Sequence, residues 1–303
     1  MNTARYEVSV PASSANLGPG FDTLAIALDM RLKVAGVPDE EWQFDLSGEG
    51  AHLLDNCNEN LIAKSYAQLC RHHGWPESAL SCSSVSEIPL SRGLGGSAAA
   101  IVAGMTLAQL SHSGAVDKEA LFQAAAELEG HPDNVAAAVF GSLQRISYDD
   151  RSYSAESLPL HSGIRLLLVV PRQMKSTHDM REILPETVPD EDLKLTAQAL
   201  GQLIMGLADG DRAKLKFSES DLRHQPYRLD ALPQSSAIFN LLSARDEVAG
   251  AYLSGAGTTV AGLVSGAPDP SAAVQSALAE MGIEAQVLFV QPDDQGVLGD
   301  LIE

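Results

Sequence analysis

Basic residues are scarce in this chain. It has 20 Lys and Arg against 40 Asp and Glu, for a net charge of −20. That balance excludes nucleic acid or an anionic membrane as a partner held by bulk attraction. An anionic substrate would need a locally positive site, built from a few Arg or Lys, backbone N–H groups or a divalent cation. Cysteine is scarce as well. Cys57, Cys70 and Cys82 are odd in number and form no CxxC. This argues against a disulfide framework or a zinc site and fits a reducing cytoplasm. No long apolar run is present. The most membrane-like stretch, Ser97 to Leu110, is short and dominated by Ala and Gly, so it reads as a buried helix. The first residues, MNTARYEVSV, contain no apolar core of a secretory leader. Internal repeats and low-complexity segments are missing too, and so are the Walker A pattern GxxxxGK[ST] and the dinucleotide fingerprint GxGxxG.

What is present is a globular composition: 303 residues, 45% apolar, enough for two domains that each bury a core. Tyr6, Val8 and Val10 alternate with polar residues and predict a strand that ends at Pro11. A polar loop, PASSANLGPGFD, follows from Pro11 to Asp22. Trp42, Phe44 and Leu46 alternate in a second strand. Asn60 to His73 carries a helical stripe and stops at Gly74. Leu80 to Ile88 predicts a strand, Ser97 to about Gly114 a helix, and Lys118 to Glu129 another. The loop GHPDN then leads into a short helix. Asp149 to Pro159 is polar and turn-rich, which puts a domain boundary there, with domains at 1–155 and 156–303. Beyond it, Ile164 to Val170 is a continuous apolar run, as in a strand covered on both faces. Helices at Asp192 to Ala208, Ser235 to Val248 and Ser271 to Met281 alternate with strands from Tyr252, to Val264, and over Ala285 to Val290. This order predicts α+β layers.

Four segments could carry chemistry. IPLSRGLGGSAAA, Ile88 to Ala100, feeds glycines into a helix N-terminus, whose unpaired N–H groups and dipole favour an anion. Its plain structural reading is a strand–turn–helix link with Ser97 as N-cap. In the Pro11 to Asp22 loop, Asn16 and Asp22 flank Gly18-Pro19-Gly20, either as a binding amide and carboxylate or as turn-forming side chains. SGAGTT, Ser254 to Thr259, reads as a hairpin or as a backbone anion nest. GHPDN gathers His131, Asp133 and Asn134 just after Glu127 and Glu129, as a structural turn or as a substrate or metal site.

Taken together and in this order, these segments resemble the homoserine kinases, a branch of the GHMP small-molecule kinases. The likeness rests on PASSANLGPGFD, IPLSRGLGGSAAA, EGHPDNVAAAVFG at Glu129 to Gly141 and LSGAGTTV at Leu253 to Val260. STHDMREILP, Ser176 to Pro185, and RHQPYR, Arg223 to Arg228, make it specific to that branch. It runs from about Tyr6 to Val290. The resemblance implies an α+β fold of two domains. The first is an α/β domain with the phosphate loop and the second is ferredoxin-like, with ATP, Mg²⁺ and L-homoserine meeting between them. It implies that Pro89, Arg92, Gly93, Leu94, Gly95, Gly96, Ser97 and Ala98 wrap the triphosphate, and that Asn60 contacts adenosine. Ser97 and Glu129 would hold Mg²⁺, with Glu127 as the fallback. For L-homoserine it implies Asn16 near the hydroxyl, Asp22 on the ammonium, and His131, Asp133 and Asn134 around the pocket. Arg181 and Arg228 would sit on the carboxylate, with Thr177 and Gly257 close by. Among these, Asn16, His131, Asp133, Asn134 and Arg181 are the candidates for catalysis.

The chemistry agrees with that set. A guanidinium pairs with a carboxylate through charge-assisted hydrogen bonds, and Asp22 suits an ammonium. Phosphoryl transfer needs mainly alignment and charge neutralisation, so a strong base is optional. Two positions depart from the family pattern: Gly96, where a serine is usual, and Thr258, where proline is frequent. The rival readings are a GHMP kinase acting on mevalonate or a sugar, and a catalytically silent ligand-binding relative. Neither nucleic acid nor membrane is expected as a partner, and a homodimer is left open.

Overall fold

The computed structural model describes residues 4–54, 60–149 and 152–302. Cys57 and residues 150–151 of the expected boundary segment lie outside them. Two sheets organise the described residues. The first takes β1 (Arg5–Asn16), β2 (Gly20–Asp39), β3 (Gln43–Gly48), β4 (Ala79–Ser86), β5 (Leu143–Tyr148) and β6 (Tyr153–Leu158), joined by a last strand from the far end of the chain. Four helices belong to this half: α1 (Leu61–His73), α2 (Gly96–Ser113), α3 (Lys118–Glu129) and α4 (Pro132–Phe140). Asn60 caps α1 by accepting from the Ile62 N–H at 3.0 Å, and Gly74 closes the helix in the left-handed region, which glycine enters without strain. Helix α2 is buried nearly all round, as its Ala- and Gly-rich sequence requires, because α1, α3, α4 and β1 all pack against it.

The second half contains β7 (Ile164–Pro171), α5 (Thr177–Glu182), α6 (Asp190–Asp209), α7 (Arg212–Leu215), α8 (Gln225–Ala231), α9 (Pro233–Ser243), β8 (Gly250–Leu253), β9 (Val260–Ser265), α10 (Ser271–Glu280) and β10 (Ala285–Val290). Its four strands are antiparallel in the order β10-β7-β9-β8. Counted within this half, that is first strand, helices, second and third strands, helix, fourth strand, with sheet order four-one-three-two. This is the ferredoxin-like arrangement expected. The unbroken apolar run of β7 has the reason anticipated for it. Leu166, Leu168 and Val170 face one core, while Leu167 and Val169 face another.

Four expectations fail, each for a physical reason. The segment from Pro11 to Asp22 is not a loop. Strand β1 continues to Asn16, with Pro11 at a register shift where a proline is tolerated. Ser13 and Ser14 are fully buried in it, and their hydroxyls are satisfied from across the fold, so polarity there does not mean exposure. GHPDN is hardly a loop either: Gly130 ends α3, His131 alone links, and Pro132 already occupies the first turn of α4. The polar stretch Asp149 to Pro159 contains β6, which pairs with β5 in the first sheet, so the expected division after residue 155 falls inside a strand. The helix expected from Ser235 to Val248 stops at Ser243, beyond which Arg212 holds the Glu247 carbonyl. Two strands were not foreseen: β2, whose twenty residues pair with β1, β4 and β5, and β11 (Leu298–Ile302), which returns to pair with β1.

Candidate functional site

A cleft of about 520 Å³ opens between the two sheets' loops, and nearly every residue singled out above lines it. Its floor is the glycine loop. Gly93 and Gly95 both have positive φ, 75° and 70°, and Gly95 stands as the N-cap of α2 with no side-chain cap. The first N–H groups of a buried helix are thus left to face the cleft. A methyl group on Gly95 would fall inside the Ser13 hydroxyl. Gly96 differs: its φ is not positive, and an added Cβ would meet only Ile88, at 3.8 Å. Neighbouring strands hold the loop in place through Ser13 N–H to the Leu94 carbonyl (3.2 Å) and Thr259 N–H to the Arg92 carbonyl (3.3 Å).

Ser97 lies in the first turn of α2 and does not cap it. Its hydroxyl donates instead to Glu129 Oε2 at 2.8 Å. Burial raises the Glu129 carboxyl above its ordinary range, and the Ser97 bond lowers it in part. Glu127 is exposed on the other side of α3 and does not line the cleft, so the geometry separates the two glutamates. A desolvated carboxylate with one hydroxyl partner seeks a cation. Among the described residues no cluster of three or more acidic, His or Cys side chains exists that could cage one. Ser97 and Glu129 are the pair in this cleft that could contribute ligands to a divalent cation.

At the other end stand the charged side chains. Asn16, at φ 73°, accepts from Asp22 N–H at 3.1 Å and donates to the Gly255 carbonyl at 2.9 Å. Asp22, at φ 57°, meets Arg181 in a paired contact, Nη2 to Oδ1 at 2.6 Å and Nη1 to Oδ2 at 3.1 Å. Arg228 is buried. Burial first and the charge of Arg181 second lower its pKa to about 10, which leaves it cationic at neutral pH. Its Nε donates to the Met180 carbonyl at 3.1 Å and its Nη1 to the Gly255 carbonyl at 3.0 Å. Asp133 is buried in the first turn of α4. Burial, and then repulsion from Asp22, push its carboxyl up to about 6. Its Oδ1 accepts from the Asn134 N–H at 2.7 Å, and Asn134 Oδ1 accepts from the Ser13 hydroxyl at 2.9 Å. Burial, with Arg181 next, holds the His131 imidazole below its ordinary range, so it is neutral at pH 7. Thr177 opens α5 at the exposed rim, and Gly257, at φ 91°, lines the wall beside Gly255.

Three expected contacts look different here. Arg92 spends its guanidinium on the carbonyls of Leu90, Pro171 and Arg172, at 2.8, 2.8 and 3.0 Å, so it pins the loop to the end of β7. Pro89 lines a neighbouring hollow, and Ala98 is buried behind the loop. Other residues were missed. Phe21 has the guanidinium carbons of Arg181, Arg223 and Arg228 each 5.3 Å from its ring centre, and it stacks on the buried His224. Ser14 and Ser254 share a bond of 2.7 Å that ties the two halves together. Phe21 and His224 sit inside motifs already singled out, GFD and RHQPYR, but no local pattern marks either as part of a site.

Comparison with known proteins follows the same lines. Residues 60–142 match the family profile described as GHMP kinases N terminal domain. Homoserine kinase of Carboxydothermus hydrogenoformans is 32% identical, over 97% of this chain and 96% of its own length. Homoserine kinase of Thermus thermophilus is 38% identical over 93% of this chain and 94% of its own. The crystal structure of homoserine kinase from Cytophaga hutchinsonii superposes with a TM-score of 0.84 at 22% identity, covering 98% of this chain and 97% of that one, which is a likeness of fold.

Proposed function

The chain belongs to the homoserine kinases of the GHMP kinase family, and from that premise we propose that it moves the γ-phosphoryl group of ATP onto the side-chain hydroxyl of L-homoserine. The products are ADP and O-phospho-L-homoserine. The observation that carries the reading is Asp22 and Arg181 face to face, beside Arg228, in the same cleft as the uncapped N-terminus of α2. A zwitterion matches that pair: its ammonium replaces Arg181 on Asp22, and its carboxylate takes the freed guanidinium together with Arg228. The exchange leaves Asp22 and Arg181 both paired and gives Arg228 an anionic partner, which a neutral sugar could not supply. Mevalonate has a carboxylate but no ammonium, so it would leave Asp22 without a partner.

At the nucleotide end, the N–H groups of Gly95 to Ala98 would receive the β- and γ-phosphates. The apolar wall formed by Leu46, Leu53, Leu54 and Leu90, next to Asn60, suits a purine. Ser97 and Glu129 would hold Mg²⁺, which supplies charge neutralisation on the phosphates when bound. The substrate hydroxyl attacks the γ-phosphorus, the bond to the β,γ-bridging oxygen breaks, and the hydroxyl proton leaves. Asp133 and His131 flank that position as acceptors, Asp133 with its carboxyl near 6 and His131 neutral. The loose transition state makes little demand on their strength. Arg181 and Asn134 align the acceptor rather than react with it.

The test is ADP release in a coupled assay with Mg-ATP and, separately, L-homoserine, mevalonate, galactose and L-threonine. Release with L-homoserine that disappears on chelation of Mg²⁺ is expected. Release with mevalonate or galactose and none with L-homoserine would overturn the proposal.

A further inference from the structure

We propose that His224 is a positioning residue for Arg228, fixing the edge that this arginine presents to the substrate carboxylate. The proposal rests on the reading of Arg228 as a carboxylate partner, given above. It starts from the donors of Arg228. Nε is used by Met180 and one N–H of Nη1 by Gly255. The other N–H of Nη1 points at His224 Nδ1, 3.3 Å away. Nη2 has no protein partner among the described residues, and Arg228 lines the cleft. Three donors spent on protein therefore leave one nitrogen for a ligand.

His224 can accept in only one protonation state. Arginine has donors and no acceptor, so Nδ1 must carry a lone pair. On the far side of the ring, Nε2 lies 2.9 Å from the Gly18 carbonyl, which can only accept, so Nε2 must carry the proton. The ring is fixed as one neutral tautomer. Complete burial supports this, since it holds the imidazole well below its ordinary range. The residue is held at both its backbone and its ring. The Asp221 carboxylate receives the backbone N–H groups of His224 and Gln225 at 2.9 and 2.6 Å, and Phe21 stacks on the ring at 5.0 Å. Gly18 belongs to the turn that joins Asn16 to Asp22, so His224 also ties the ammonium side of the pocket to the carboxylate side.

The test compares two substitutions that differ in which contact they keep. His224→Asn places an amide oxygen where Nδ1 stands and loses the Gly18 contact. His224→Gln reaches Gly18 with an N–H and leaves nothing to accept from Arg228. Each is measured with Mg-ATP against L-homoserine and against 3-amino-1-propanol, the same acceptor without its carboxylate. Competitive inhibition replaces turnover for the amino alcohol where turnover is too slow. For His224→Gln the KM for L-homoserine should rise roughly 10- to 100-fold, the range a misplaced contact costs. Its KM for ATP and its handling of the amino alcohol should stay within about twofold. His224→Asn should stay within about threefold of the parent on all counts. Arg228→Ala, run in parallel, separates the two layers of the reasoning. If it fails to discriminate between the acceptors, the carboxylate reading itself falls. If it discriminates while His224→Gln does not, or if Asn is as damaging as Gln, only the role of His224 falls. A readout on the unmodified protein needs no variant: ¹⁵N NMR of the His224 ring at neutral pH should show protonation at Nε2 alone, and a proton on Nδ1 would overturn the proposal.

Discussion

Gly95 and Gly96 are neighbours in the phosphate loop, yet the structure separates them sharply. Gly95 has φ 70°, where an L-residue pays about 1–2 kcal/mol. A Cβ on it would also collide with the Ser13 hydroxyl, the group that fixes Asn134. Overpacking of this kind costs roughly 1–3 kcal/mol. Gly95→Ala should therefore lose roughly 2–5 kcal/mol of stability, enough to lower Tm by roughly 5–15 °C. It should also raise the KM for ATP, because the same collision pushes the loop off Ser13. Gly96 lacks both obstacles: its φ is not positive, and the added Cβ meets only Ile88 at 3.8 Å, an ordinary contact. A helical glycine costs up to about 1 kcal/mol against alanine, so Gly96→Ala should be neutral or slightly stabilising. Gly96→Ser should leave kcat/KM for ATP within about threefold, because the phosphates are met there by the backbone N–H. Thermal melts and steady-state kinetics of Gly95→Ala, Gly96→Ala and Gly96→Ser check the set. A Gly96 variant that loses tenfold or more in kcat/KM, or a Gly95→Ala that melts like the parent, would refute the loop geometry argued here.

Arg181→Ala and Arg228→Ala should each lower kcat/KM for L-homoserine by roughly 30-fold to several-thousand-fold, the cost of about 2–5 kcal/mol for a charge left without its partner. The KM for ATP should barely move, and near-parental kcat/KM in both would remove the clamp. Ser97→Ala and Glu129→Gln should each cost roughly tenfold to a thousandfold in kcat and shift the Mg²⁺ dependence, whereas Glu127→Gln should do neither; kinetics with Mg²⁺ varied at fixed ATP decide it. Asp133→Asn should raise stability at pH 8 in the absence of nucleotide and Mg²⁺. A carboxyl moved from 3.8 to about 6 binds its proton more tightly in the folded state, so parental stability falls as pH rises through that window, by at most about 3 kcal/mol. The gain should vanish below about pH 4, where both states are protonated, and an equal gain at every pH in denaturant titrations would mean that it is not electrostatic.

Where local pattern decides structure, the sequence was easy to read. Asn60 and Gly74 bracket α1, Asp117 and Gly130 bracket α3, and the double-faced apolar run of β7 is visible as such. What was hidden depends on distant partners. Ser13 and Ser14 look like loop residues until Asn134, Tyr252 and Ser254 are seen to satisfy them. Strand β11 is only five residues long and mostly exposed, so its pattern is faint, and its pairing with β1 joins the two ends of the described chain. Resemblance supplied most of the site, and the geometry brings most of the named residues to one cleft. It could not supply their couplings, because Asp22 and Arg181 are separated by 159 positions and nothing local to either announces a shared ion pair.

Those couplings also reconcile the charge of the chain with its substrates. A net charge of −20 should repel ATP, and screening leaves that repulsion short-ranged. Inside the cleft a few basic groups balance the acidic ones. Arg181, Arg223 and Arg228 converge on the single ring of Phe21, while Asp22 neutralises Arg181. The aromatic face lets three cations approach one another, where water alone would let them spread. On the proposed reading the positive side chains gather at the carboxylate pocket, and the phosphates a short way off would be met by helix N–H groups that carry no net charge. An amino acid would thus read the side chains and a nucleotide the backbone. On this reading Gly96 can depart from the family pattern without consequence for the phosphates, whereas loss of Arg228, or of the acceptor that His224 offers it, should weaken the hold on the amino acid.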